Sequence, residues 1–233
     1  MKLIKPLNKY FDHTILKAFA SSADMDKVID ECIRYNFQMI AINSVQVKYC
    51  HAKLKDFDVN VGAAIGFPLG QTTIETKIFE TQNAIDHGCD EIDYVVNLSE
   101  VKNGNWNYVE REMKAIVDIC KEQGIISKVI FENCYLNQRE IMALAQIARV
   151  VGPDYIKTST GFGTGGATVE DVRLMKEFGG PDVQVKAAGG IRDLKTALAM
   201  IEAGATRIGS SAGCAIMDEY NGLEQGLEIV DTY

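Results

Sequence analysis

Short runs rich in valine and isoleucine alternate with longer amphipathic stretches along this whole chain, and that alternation constrains its fold more than any other feature. The runs that read as strands are Phe11–Leu16, Gln38–Asn43, Asn60–Gly66, Glu91–Asn97, Lys128–Glu132, Tyr155–Thr160, Gln184–Gly189 and Arg207–Ser211. Helical patterns lie between them, for example Thr73–His87, Trp106–Gln123, Gln138–Val151, Thr168–Phe178 and Leu194–Ala203. In the last of these, Leu194, Leu198 and Ile201 recur at helical spacing, and Ala203-Gly204-Ala205 reads as the stop. Eight strand–helix units predict an α/β fold, a single (β/α)8 TIM barrel spanning residues 1–233. The length suits one such domain, since these barrels run to ~250 residues. An open doubly wound sheet is the competitor, but no GxGxxG follows the first strand.

In a parallel barrel the chemistry sits at the C-terminal strand ends. Asp12, Asn43, Asp93, Asn97, Glu132, Lys157, Lys186 and Ser211 fall there. Lys157 and Lys186 each end an apolar run and precede a glycine-rich turn, in YIKTSTGFGTGGAT and QVKAAGGIRD. Successive strands are neighbours ~4.8 Å apart, so the two ammonium groups can meet. A free lysine has a pKa of ~10.4, and a second cation with partial desolvation lowers it by up to several units. The neutral amine that results is the nucleophile for imine formation. Alternation puts Glu91, Asp93, Val95 and Asn97 on one face of EIDYVVN. An acid facing a barrel interior must be paired or functional. Asp93 therefore either relays protons through a water or forms an ion pair with Lys186, and the two roles are compatible.

The glycine turns suggest a phosphate seat. Gly161, Gly163, Gly165 and Gly166 follow the sixth strand, Gly189 and Gly190 the seventh, and Gly209, Ser210 and Ser211 close the eighth. Barrels often hold phosphate on the backbone N–H groups of these final loops, helped by helix dipoles. Arg192 lies beside them. IGFPLG (65–70) either walls the site or simply reverses the chain. His13 and Trp106 read as structural. The terminal Tyr233 is a candidate proton relay if the tail folds over the mouth.

The formal charge of −8 argues against nucleic acid or an anionic membrane as the partner. The six cysteines are scattered without a CxxC pair, which favours a reducing, cytoplasmic setting. The three histidines show no metal-ligand spacing, and no cofactor is expected.

DHTILK (12–17), IGFPLG (65–70), EIDYVVN (91–97), KVIFENC (128–134), YIKTSTGFGTGGAT (155–168), VKAAGGIRD (185–193) and RIGSSAG (207–213) resemble, in order, the motifs of the 2-deoxyribose-5-phosphate aldolases. The resemblance covers nearly the whole chain. It implies a metal-free class I aldolase that reversibly cleaves 2-deoxy-D-ribose 5-phosphate to D-glyceraldehyde 3-phosphate and acetaldehyde. It also implies a small phosphosugar as partner and a homo-oligomer, a dimer first. By motif, Lys157 would be the Schiff-base lysine, Asp93 the proton donor and acceptor, and Lys186 the tuning lysine. Asp12 and Thr14 would belong to the polar shell about the substrate. Thr160, Gly161, Gly189, Gly190, Arg192, Gly209, Ser210 and Ser211 would hold the phosphate end. The chain departs from the family at Ala41 and Ser44 in the second strand, at Asn133, and at Ala212 in the final loop. These departures bear on affinity rather than reaction type. Other Schiff-base barrels, such as a transaldolase or ketose-phosphate aldolase, share the lysine chemistry. A non-catalytic phosphosugar-binding barrel is the alternative from outside enzymology.

Overall fold

A computed structural model describes residues 3–230, with side chains as far as 223. Tyr233, the candidate relay, lies outside the described residues. The strands are β1 (Phe11–Ile15), β2 (Met39–Asn43), β3 (Asn60–Ile65), β4 (Glu91–Val95), β5 (Ile126–Ile130), β6 (Tyr155–Lys157), β7 (Gln184–Ala188) and β8 (Ala205–Ser210). The helices are α1 (Ser22–Tyr35), α2 (Val47–Leu54), α3 (Ile74–Asp86), α4 (Leu98–Lys102), α5 (Trp106–Gln123), α6 (Gln138–Val151), α7 (Val169–Gly179), α8 (Leu194–Glu202) and α9 (Gly213–Val230). All strands are parallel, each pairs with the next, and β8 pairs with β1. The sheet is thus the closed barrel that the alternation predicts.

Local chemistry sets the element ends. Ser21 starts α1 with a reciprocal capping box to Asp24, and Asn137 does the same for α6 with Glu140. Helices α5 and α6 end on the left-handed glycines Gly124 and Gly152. Most strands stop one to three residues earlier than the sequence suggests, and at β4 and β6 side chains engage the backbone just beyond the strand end. Strand β4 ends at Val95, and Asn97 leaves the strand face to cap α4, accepting from the Ser99 and Glu100 N–H groups. Strand β6 ends at Lys157. Beyond it, the Thr158 hydroxyl donates to the Ala188 carbonyl at 3.0 Å and accepts from the Ala188 N–H at 3.1 Å, while Glu132 takes Thr160.

Between the barrel and the helix ring lies a continuous apolar layer from Leu7 to Met217. The barrel interior is different. It is charged on β4 to β8 and on β1, and uncharged on β2 and β3. Ala41 and Ala64 are buried there, and a Cβ added at Gly62 would lie 2.3 Å from the Met39 sulfur. Met39 therefore fills the interior beside β3 only because position 62 is glycine.

Candidate active site

Parallel register builds the site. Asp93 on β4 stands opposite Lys128 on β5, and Lys157 on β6 opposite Lys186 on β7, which in turn is opposite Arg207 on β8. All these side chains are buried. Asp93 is the hub. Its Oδ2 accepts from Lys157 Nζ at 2.8 Å and from Lys186 Nζ at 2.7 Å, while Oδ1 accepts from Lys128 Nζ at 2.6 Å. Lys128 also pairs with Glu91 at 2.6 Å, and Lys186 with Asp12 at 2.5 Å. Arg207 bridges Asp12 and Glu91 at 2.6 and 2.5 Å.

Among the described strand residues this interior set contains four cations, Lys128, Lys157, Lys186 and Arg207, against three acids, Asp12, Glu91 and Asp93. One positive charge is in surplus, and the geometry decides where it falls. Burial alone would lower the pKa of Lys128, but Asp93 and Glu91 overcome this and raise it above the ordinary value. Arg207, between Asp12 and Glu91, is likewise raised. Burial would raise the two acids, yet the Lys128 and Arg207 charges pull Glu91 down to about 2, and the three ammonium groups hold Asp93 well below the usual carboxylate range. Lys157 has only one carboxylate oxygen, and shares it with Lys186. Burial depresses its pKa, Asp93 opposes the shift, and the Lys186 charge assists it, leaving Lys157 at about 8. The surplus proton is therefore most weakly held on Lys157.

Lys157 is also the lysine of the set that meets open space. It lines a cavity of about 500 Å³ at the C-terminal mouth, with Thr14, Thr160, Gly161, Gly189, Gly190, Arg192, Gly209, Ser210 and Ser211 around the same wall. The candidates named from sequence thus converge, with three qualifications. Asp12 lies beneath the cavity and away from its wall, ion-paired to Lys186 and Arg207. Thr14 donates its hydroxyl to the Asp12 carbonyl at 2.9 Å, and Ser210 donates its hydroxyl to the Ile191 carbonyl at 2.7 Å. What Ser210 offers an anion is then mainly its backbone. Gly161, Gly189 and Gly190 have φ of +89°, +85° and +78°, values that side chains disfavour. The loops after β6 and β7 are knit together: a Cβ at Gly166 would lie 2.2 Å from the Gly189 carbonyl oxygen.

IGFPLG proves to wall a neighbouring cavity of about 310 Å³, where Phe67 meets Phe162 edge-on with ring centroids 5.5 Å apart. Lys128, Glu91 and Arg207 were not singled out from the sequence as site residues. A signal was present, because each is a charge set inside an apolar strand. His13 is buried against Phe37, as its structural reading implies, and Trp106 opens α5 partly buried against the core.

Fold and site together define a barrel enzyme with a weakly protonated amine at its open mouth. The chain belongs to the DeoC/LacD aldolase family, whose model matches residues 7–227, and it is an aldolase. It is 55% identical over 208 residues to the deoxyribose-phosphate aldolase of Lactobacillus acidophilus, covering 89% of this chain and 88% of that one. Its identity to the Thermococcus gammatolerans deoxyribose-phosphate aldolase is 49% over 212 residues, covering 90% and 94%. A solved tetrameric deoxyribose phosphate aldolase from Aeropyrum pernix superposes with a TM-score of 0.85 at 31% identity, covering 92% and 90%. No described helix is long and apolar enough to cross a membrane.

Proposed function

We propose that Lys157 is the Schiff-base nucleophile of this aldolase, with Lys186 tuning its amine and Asp93 handling protons. The reaction is the reversible cleavage of 2-deoxy-D-ribose 5-phosphate to D-glyceraldehyde 3-phosphate and acetaldehyde. The observation that carries the assignment is the pairing of access and charge: Lys157 is the interior lysine lining the cavity, and its pKa is lowered to about 8. At pH 7 about one molecule in ten carries the neutral amine.

The amine attacks C1 of the open-chain sugar, and loss of water gives a protonated imine. A proton leaves the C3 hydroxyl toward Asp93 through a water. The C2–C3 bond breaks, its electron pair flows to the imine, and glyceraldehyde 3-phosphate departs. The remaining enamine takes a proton at C2 and is hydrolysed to acetaldehyde. Asp93 is a weak base on its own, held ionised by three ammonium groups. Lys186, donating to the same carboxylate oxygen as Lys157, fixes the position of Asp93 beside the amine. The glycine and serine backbones of the last three loops, with Arg192, hold the phosphate. That remote binding energy orients C1 toward the amine.

The setting that suits this reading is the cytoplasm, where the six free thiols persist and deoxyribonucleotide catabolism supplies the sugar. A homo-oligomer is the accompanying proposal. Borohydride reduction with substrate, followed by peptide mapping, tests the assignment. The expected adduct is on Lys157; an adduct elsewhere, or none, rejects it. Turnover in EDTA tests whether the amine alone is the electron sink, and undiminished activity is expected.

A further inference from the structure

Outside the lysine network, His13 of β1, Glu31 of α1 and Cys214 of α9 bring three metal-ligating atoms within 4.8 Å of one another. His13 Nε2 lies 2.8 Å from Glu31 Oε2 and 3.9 Å from the Cys214 sulfur. Tetrahedral zinc, with bonds of about 2.0–2.3 Å, needs its ligands roughly 3.3–3.6 Å apart. Small side-chain movements, opening the His–Glu contact and closing the His–Cys one, meet that requirement.

The surroundings hold the ring in place. His13 is buried, its ring packs on Phe37 at 4.9 Å between centroids, and a Cβ at Gly213 would lie 2.9 Å from its Nδ1. Phe37 and the Gly213 backbone thus pack closely against the ring. Nδ1 makes no hydrogen bond, and Ser210 on β8 is the register partner of His13. The other two ligands are partly accessible. Glu31 and His13 line the large cavity, so a water can reach a fourth position from there. One imidazole, one carboxylate and one thiol form the mixed donor set of a borderline cation, unlike the all-oxygen sets of magnesium or calcium.

We propose that His13, Glu31 and Cys214 form a binding site for a divalent cation of the zinc class, which clamps α9 to β1 and α1 across the seam where the barrel closes. The site takes no part in the lysine chemistry. It ties together chain positions 201 residues apart, His13 and Cys214. A ligand bound to the folded state and not the unfolded one stabilises it by mass action, so zinc raises the melting temperature.

The experiment uses the full chain, reduced and stripped with chelator. Cobalt titration should develop the near-ultraviolet charge-transfer band of a Co²⁺–thiolate bond. The band should be lost in Cys214→Ser and weakened in Glu31→Gln, which keeps a hydrogen bond to His13. It should survive in Cys134→Ser, which removes the other partly accessible thiol. Zinc should raise the melting temperature of the parent chain and leave that of Cys214→Ser unmoved, with aldol cleavage by Cys214→Ser unchanged. A band absent from the parent chain, or one that persists in Cys214→Ser, overturns the proposal and leaves a hydrogen-bonded His–Glu pair. Neither result bears on Lys157, so the site and the aldolase assignment fail separately.

Discussion

Lys128 and Lys157 sit on adjacent strands and touch opposite oxygens of one carboxylate, yet they are driven in opposite directions. Lys128 lies between two acids, has no open face, and holds its proton more tightly than a lysine in water. Lys157 divides a single oxygen with Lys186, faces the cavity, and falls to about 8. Burial lowers both, so burial alone does not make a nucleophile. The number of carboxylate oxygens per ammonium group does. The outer layer adds a third case. Lys77 on α3 and Glu112 on α5 form a buried pair at 2.6 Å, and Lys77 also donates to the Val95 carbonyl. Burial lowers the Lys77 pKa against the pull of Glu112, but this lysine is fully buried and lines neither of the two cavities.

The strongest way to break this contrast is Lys157→Met. Removing the nucleophile should cut turnover on the order of 10⁵-fold or more and abolish borohydride trapping. The same variant should be more stable than the parent at pH 7. The folded pKa of about 8 lies below the unfolded value of 10.5. The unfolded chain therefore binds more protons between those values, and parental stability rises with pH across that window. Below it, the buried amine costs up to ~3 kcal/mol, a cost the variant lacks. Urea melts at pH 7 and pH 10 check this, and an equal stability difference at both would refute it.

Next in size is Asp93→Asn, expected to lower kcat ~10²–10⁴-fold and to destabilise by ~3–5 kcal/mol, because three ammonium groups lose their shared acid. Lys186→Met probes the charge surplus directly. The acidic limb of kcat/KM, expected near pH 8 in the parent from loss of the Lys157 proton, should move upward. At pH 7 the rate should fall ~10–100-fold. A limb that stays in place would mean that Lys186 does not tune the amine. The smallest kinetic effect belongs to Lys77→Met. It should destabilise by ~3 kcal/mol, leaving Glu112 buried and unpaired, while the pH profile stays where it is.

How much of this could be read beforehand depended on whether a signal was local. The barrel was legible because alternation is a local pattern repeated eight times, and the closed sheet follows it. Lys157, Lys186 and Asp93 were legible because charges at the ends of apolar strands stand out. Lys128 carries the same mark in ISKVI, but no glycine turn follows it, and Arg207 in ATRIGS precedes Gly209 but opens its predicted run, away from the C-terminal strand end where chemistry is expected. Asp12 could be placed near the site but not under it, since its depth depends on β1–β8 register. The Lys77–Glu112 pair was invisible, because helical lysines and glutamates normally face water. So was the meeting of His13, Glu31 and Cys214, which no spacing along the chain can announce.

The Asp12 carboxylate on the first strand finds its cations, Lys186 and Arg207, only on the last two. During synthesis, then, a nascent chain lacking β7 and β8 holds Asp12 without the two cations that pair with it and Lys157 without the Lys186 charge that helps lower its pKa. Closure of the ring thus brings Asp12 its two cations and sets Lys186 beside Lys157 in a single step.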